Sequence, residues 1–175
     1  NETNAGNYTL KITGTGKFRG ETTFDYTIAK ATLKVMVDNK VVTYGDEIPS
    51  FTVSYSGFVE GENESLLTGE LSFKCNYAQF SDVGEYVISV ENGYDELANY
   101  NIEYIEGTLS VNPKLITLEW ENTSLTYNGE GQKPVASFIG LVNGDSCDAI
   151  VSGAQTNAGT YIAIVNGLTN PNYVL

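Results

Sequence analysis

Carboxylates are the plentiful chemical group in this chain, with 22 Asp and Glu against 9 Lys and Arg and no histidine at all. Glu60, Glu62 and Glu64 crowd one short segment, and Asp145 and Asp148 stand in a matching place further on. Paired acids could hydrolyse glycosides, which requires two carboxyls facing each other across a cleft roughly 5 to 9.5 Å apart. They could also hold Ca2+, which takes about six to eight oxygen ligands. The EF-hand spacing is absent, and the small units argued below seldom enclose a cleft of that kind. Acids at the start of a short helix, stabilised by its dipole, account for them better. Lack of histidine removes the commonest general base and the commonest transition-metal ligand. The expectation is therefore no enzyme, no catalytic residue, no metal and no cofactor.

The net charge of −13 leaves nothing to attract phosphate backbones or anionic membrane surfaces, so neither nucleic acid nor membrane insertion is expected. Sugars are the remaining class of small ligand, because exposed aromatic rings stack on them while amides and carboxylates take the hydroxyls. Tyr77, Phe80 and Tyr94 are the candidate ligand-binding residues, since they flank a central strand; ordinary loop packing is the competing account. Tyr100 is expected to point inward, and Trp120 to lie in a core because it continues the alternation of Ile116 and Leu118.

The elements that position these residues are repeated. NAGNYTLKITG at Asn4 to Gly14, DVGEYVISVENG at Asp82 to Gly93 and NAGTYIAIVNG at Asn157 to Gly167 are versions of one phrase. Its G-x-Y glycines fall at positions 6, 84 and 159, a spacing too regular for chance. Upstream, GFVEGE at Gly57 to Glu62 answers GLVNGD at Gly140 to Asp145, and Tyr44 answers Tyr127; downstream, Asn99-Tyr100 answers Asn172-Tyr173. A catalytic site seldom comes in triplicate, so the repeat speaks first of architecture.

Period-2 alternation dominates each copy. Leu33, Val35 and Val37, then Phe51, Val53 and Tyr55, then Tyr86, Ile88 and Val90 read as strands with one buried face, as do Phe24, Tyr26 and Ile28. Turns are expected at Tyr44 to Asp46, Asn92-Gly93 and Asn128-Gly129. GENESLLTG at Gly61 to Gly69 and GDSCDAIVSG at Gly144 to Gly153 break the pattern, and each predicts about two turns of helix. The fold class expected is mainly β with one short helix per unit, a β-rich α+β arrangement of β-grasp type, with an Ig-like β-sandwich as the alternative. Linkers around Lys30 and Pro113 divide the chain into residues 1–29, the closing part of a preceding repeat; 30–112, a complete repeat; and 113–175, a repeat lacking its last strand. Cys75 and Cys147 lie at unrelated places in their repeats, which predicts buried free thiols rather than a disulfide or metal site.

These residues resemble a known family. Tyr44-Gly45-Asp46, SGFVEGE, VGEYVISVENG and ANYNIEYIEGTLSV together are similar to the MBG repeats of bacterial surface proteins in their YGX form. The last unit, with Tyr127-Asn128-Gly129, is similar to a sister variant. The resemblance implies a tandem array of small β-rich domains in a long, secreted or wall-associated bacterial protein, often an adhesin, and implies no chemistry. Two functions follow as expectations. The first is a non-catalytic stalk or adhesin scaffold, stiffened by the three-residue linkers and by Pro113. The alternative is a glycan- or mucin-binding module with host glycans or surface proteins as partners. One further expectation concerns the ends. The last unit stops at NYVL without the strand that the middle unit supplies as TLSV, while residues 1–29 hold two strand-like runs without a host. The N-terminal strands of one chain are expected to pair with the C-terminal unit of another, unless both ends reflect where the segment was cut.

Overall fold

The computed structural model describes residues 2–175. Strands run in chain order as β1 Gly6–Thr13, β2 Glu21–Ile28, β3 Ala31–Val37, β4 Lys40–Thr43, β5 Val53–Ser56, β6 Ser72–Cys75, β7 Gly84–Asn92 and β8 Tyr100–Ile105. They continue as β9 Gly107–Asn112, β10 Lys114–Leu115, β11 Thr117–Glu121, β12 Val135–Ile139, β13 Ala149–Ser152, β14 Ile164–Leu168 and β15 Tyr173–Val174. The strand-rich class follows from the alternation of β-branched and aromatic residues with polar ones. The described residues form two compact units, residues 2–38, 51–75 and 87–107, and residues 39–50, 76–86 and 108–175.

In the first unit β3 lies between β5 and β8, antiparallel to the former and parallel to the latter. Leu33, Val35 and Val37 are buried on one face of β3, and Thr32, Lys34 and Met36 alternate with them. Ile88 of β7, which pairs with β6, is buried as well. Gly57 follows β5 at φ +106°, and a Cβ there would fall 2.3 Å from the Thr32 carbonyl oxygen. Only glycine lets the chain leave β5 that close to the neighbouring backbone.

The β1–β2 hairpin of this unit departs from expectation. Its register sets Tyr8 opposite Tyr26 and Leu10 opposite Phe24, so the apolar residues share a face. That face is exposed, with Leu10 at 52%, Ile12 at 53% and Phe24 at 65%. Alternation reports which residues share a face; it does not supply the second layer that covers it.

In the second unit β4 runs parallel to β9, and β9 lies next to β7, whose residues Gly84–Tyr86 belong here. Leu109 and Val111 of β9 are buried, together with Tyr44, Tyr77, Ile116, Cys147 and Tyr173. The closing residues form three small pairings, β10 with β15, β11 with β12, and β13 with β14. The stretches that match β4 and the start of β7, residues 123–127 and 159–163, are outside any strand.

The expected helices are corrected. Gly61–Gly69 contains only a 3₁₀ turn at Glu64–Leu66, capped by the Asn63 side chain, which accepts from the Ser65 N–H at 2.9 Å, and ended by extended Leu67. Serine, threonine and glycine in so short a segment do not offset the cost of nucleating an α-helix. Gly144–Gly153 has no helix, because Ile150 and Val151 enter β13, where pairing with β14 suits their branched side chains. Cys147 is buried as expected, while Cys75 is half-buried; both are free thiols. No helix among the described residues is long and apolar enough to cross a membrane.

Candidate binding cleft and the carboxylate anchors

The clustered acids serve the fold at two matching places. In the first unit the Val59 N–H donates to the Tyr100 hydroxyl oxygen at 2.9 Å, Tyr100 donates to the Glu62 carboxylate, and the Glu62 N–H donates to the Val59 carbonyl at 2.9 Å. In the second unit the Val142 N–H donates to Tyr173 at 3.1 Å, Tyr173 donates to Asp145 at 2.7 Å, and the Asp145 N–H donates to the Val142 carbonyl at 3.0 Å. A tyrosine ring pins each V-x-G-[acid] loop through the same three bonds. Tyr44 adds a fourth, donating to the same Asp145 oxygen at 2.7 Å with its ring edge-on to Tyr173.

The electrostatics follow from this geometry. Hydrogen bonds from Tyr173 and then Tyr44 hold the Asp145 carboxyl below its ordinary value. Burial, and then the bond to Asp145, push the Tyr44 hydroxyl up to about 12. The hydrogen bond to Glu62 raises Tyr100, with burial adding to it. An ionised acceptor flanked by neutral phenols is a stable structural arrangement and leaves no group poised to move a proton near neutral pH.

The asparagine before each anchoring tyrosine joins consecutive copies of the repeat. The Asn99 side chain accepts from the Ala5 N–H at 2.8 Å and donates to the Asn4 side chain at 3.0 Å. Asn172 does the same with the Val83 N–H at 2.9 Å and Asp82 at 2.8 Å. Its amide is the buried polar side chain of the core, and both of its ends are satisfied.

The three residues singled out as sugar contacts are each engaged in packing. Tyr77 is buried, donates to the Asp46 carbonyl and meets Tyr86 edge-on. Phe80 turns at φ +67° and sets its ring against Tyr44. Tyr94 shares a 2.5 Å hydroxyl contact with Tyr55, and its N–H donates to Tyr104 at 2.6 Å. The first two lie in the second unit and Tyr94 in the first. Tyr100 is buried, as its place in the repeat predicts.

The concave feature of the second unit lies elsewhere. A cleft of about 370 Å³ opens between residues 120–134 and residues 153–163. Trp120, Leu125, Tyr127, Tyr161 and Ile162 supply its apolar and aromatic walls. Trp120 is half-buried there, so its strand alternation was legible but its open side was not. Two of the polar wall groups already have partners: Gln132 donates to the Thr126 carbonyl and to Asn128, both at 2.9 Å, and Lys133 donates to the Val151 carbonyl at 2.9 Å. No carboxylate lines the cleft among the described residues.

Comparison with protein families matches residues 33–110 to the MBG domain (YGX type), a match that contains Tyr44-Gly45-Asp46, the Val59–Tyr100–Glu62 anchor and most of β9. No curated protein and no solved structure matches the chain.

Proposed function

We propose that this chain, which carries an MBG domain of the YGX type, is a non-catalytic repeat segment of a bacterial surface protein. It acts as a stalk or adhesin scaffold that holds other domains away from an extracellular, wall-associated anchor. The observation that carries this reading is the joint between copies, made twice with the same chemistry. Asn99 binds the Asn4-Ala5 turn and Asn172 binds the Asp82-Val83 turn. Joints that use backbone N–H groups and side-chain amides, half-buried at Asn99 and buried at Asn172, fix orientation, which a flexible linker does not. The surplus of acids keeps crowded copies soluble and mutually repelling.

Small-angle scattering tests the stalk. A compact chain of this length has a radius of gyration of about 16 Å, and a stiff tandem segment gives a clearly larger value with a rod-like distance distribution. A compact particle rejects the reading. The glycan-binding alternative draws on the exposed Tyr127 and Tyr161 rings beside the cleft. It is the weaker account because Gln132 and Lys133, two groups that would read hydroxyls, are tied to the Thr126 and Val151 carbonyls. A glycan array with no signal above background removes it.

A further inference from the structure

The MBG domain opens and closes on strands that run side by side in the same direction. β3, its first strand, pairs parallel with β8 from Ala31 opposite Tyr100 to Met36 opposite Ile105. β4, its second, pairs parallel with β9, its last, from Lys40 opposite Leu109 to Thr43 opposite Asn112. The register is the same in both ladders, with no slip in either. Further bonds lengthen each ladder. The Ala31 N–H donates to the Asn99 carbonyl at 2.8 Å, and the Tyr44 N–H donates to the Asn112 carbonyl at 2.8 Å. Lys30 donates to the Leu97 carbonyl at 2.9 Å beside the first ladder, and the Asn39 side chain accepts from the Thr108 N–H at 2.8 Å beside the second. The following repeat opens in the same way, with β10 parallel to β15 and the Lys114 N–H donating to the Asn172 carbonyl at 2.9 Å.

This topology decides how tension along the chain meets the hydrogen bonds. The chain enters β3 at its N-terminal end and leaves β8 at its C-terminal end, through Glu106 and β9. Tension therefore pulls the two parallel strands from opposite ends, and their six facing residue pairs meet the force together. The same holds for β4, pulled through β3 at its start, and β9, pulled at its end. A pair pulled apart from one end instead opens a bond at a time. Burial also opposes sliding. Leu33 and Val35 of β3 and Leu109 of β9 are fully buried, so a shift by one residue would turn apolar side chains to the wrong face. We propose that these two parallel ladders form a shear clamp that keeps the MBG domain folded under tension. This role rests on the reading of the chain as a stalk, which places it between an anchor and an outer contact.

Single-molecule force spectroscopy of the full chain tests the clamp, with azide-bearing residues as handles at exposed positions of the first unit. Handles at Ala29 and Glu106 shear β3 against β8. Handles at Ala29 and Ala98 peel the same ladder open from the end where Ala31 faces Tyr100. Forced unfolding follows the unfolding rate along the pulled direction, so at one pulling speed the sheared geometry ruptures at a force at least about twofold higher. All three positions are exposed, so both doubly substituted chains keep the melting temperature of the parent, and direction is the variable that remains. Equal forces, or a lower force in shear, overturn the clamp. Scattering from the unmodified chain keeps the two readings apart. A rod-like particle whose rupture force ignores direction removes the clamp alone. A compact particle with a strong directional difference removes the stalk and, with it, the clamp's role under tension.

Discussion

One phrase has two fates in this molecule. VISVENG in the middle repeat belongs to an unbroken strand, Gly84–Asn92, with Ile88 fully buried. IAIVNG in the last repeat enters a strand only at Ile164, and the Gly159–Ala163 run before it is unpaired with Ile162 in solvent. Composition and alternation are nearly the same, so intrinsic preference cannot explain the difference. Neighbours explain it. β7 lies beside β9 in its sheet, whereas the matching stretch of the last repeat faces a cleft. Strand propensity describes what a segment accepts once a partner is present.

Substitutions can break this contrast. The largest expected effect is Ile88→Ala, which opens a cavity in a packed core and costs about 2–5 kcal/mol, while Ile162→Ala stays within about 0.5 kcal/mol of the parent. Paired denaturant titrations of the two variants measure it, and equal losses would show that the last repeat has a core of the same quality. Gly57→Ala comes next. Its positive φ and the Thr32 oxygen 2.3 Å from the new Cβ leave it no relief, giving a loss upwards of about 3 kcal/mol. Gly129→Ala, also at positive φ but facing open space, loses about 1–2 kcal/mol from the backbone alone.

The anchors sharpen the comparison through pH. Asp145 titrates below its ordinary value of 3.8, so its contribution is complete above that value and fades as pH falls through the depressed one. Asp145→Asn should lower the melting temperature at neutral pH and flatten the acid limb of the stability profile. At the alkaline end the sign reverses. Tyr44 is raised from 10.0 to about 12, so the stability tied to its neutral form is whole below pH 10 and disappears as pH climbs towards 12. Tyr55, raised by burial and by its bond to Tyr94, adds to the same loss. Thermal melts between pH 9 and 12 on the parent and on Tyr44→Phe read this, and the variant should show the shallower decline. The smallest effect is local: amide exchange at Tyr161–Ala163 runs much faster than at Tyr86–Ile88, and similar protection would mean that the stretch is paired after all.

Much of the fold was legible before the structure. Leu33, Val35 and Val37 announce a one-faced strand through spacing alone, and the Asn-Tyr phrases mark positions that the structure uses in the same way at Asn99-Tyr100 and at Asn172-Tyr173. Other features were hidden for specific reasons. The acids of Gly61–Gly69 resemble a helix start, but a run of nine residues containing serine, threonine and glycine cannot hold more than one 3₁₀ turn without a packing partner. Tyr77, Phe80 and Tyr94 were legible as residues flanking the G-x-Y strand, but their neighbours Tyr86, Tyr44 and Tyr55 are set by the tertiary fold. The cleft was invisible as a motif, since its walls come from two stretches, 120–134 and 153–163, that only the tertiary fold brings together.

By itself the sequence determined the strand-rich class, the repeat and its phase, and the residues that share each face, because side-chain periodicity is a local property of an extended backbone. Tertiary structure alone decided which faces are covered, which carboxylates are held by phenols, and where a groove stays open. Those outcomes depend on contacts between residues far apart in the chain, as between Tyr44 and Asp145, and no local pattern carries that information.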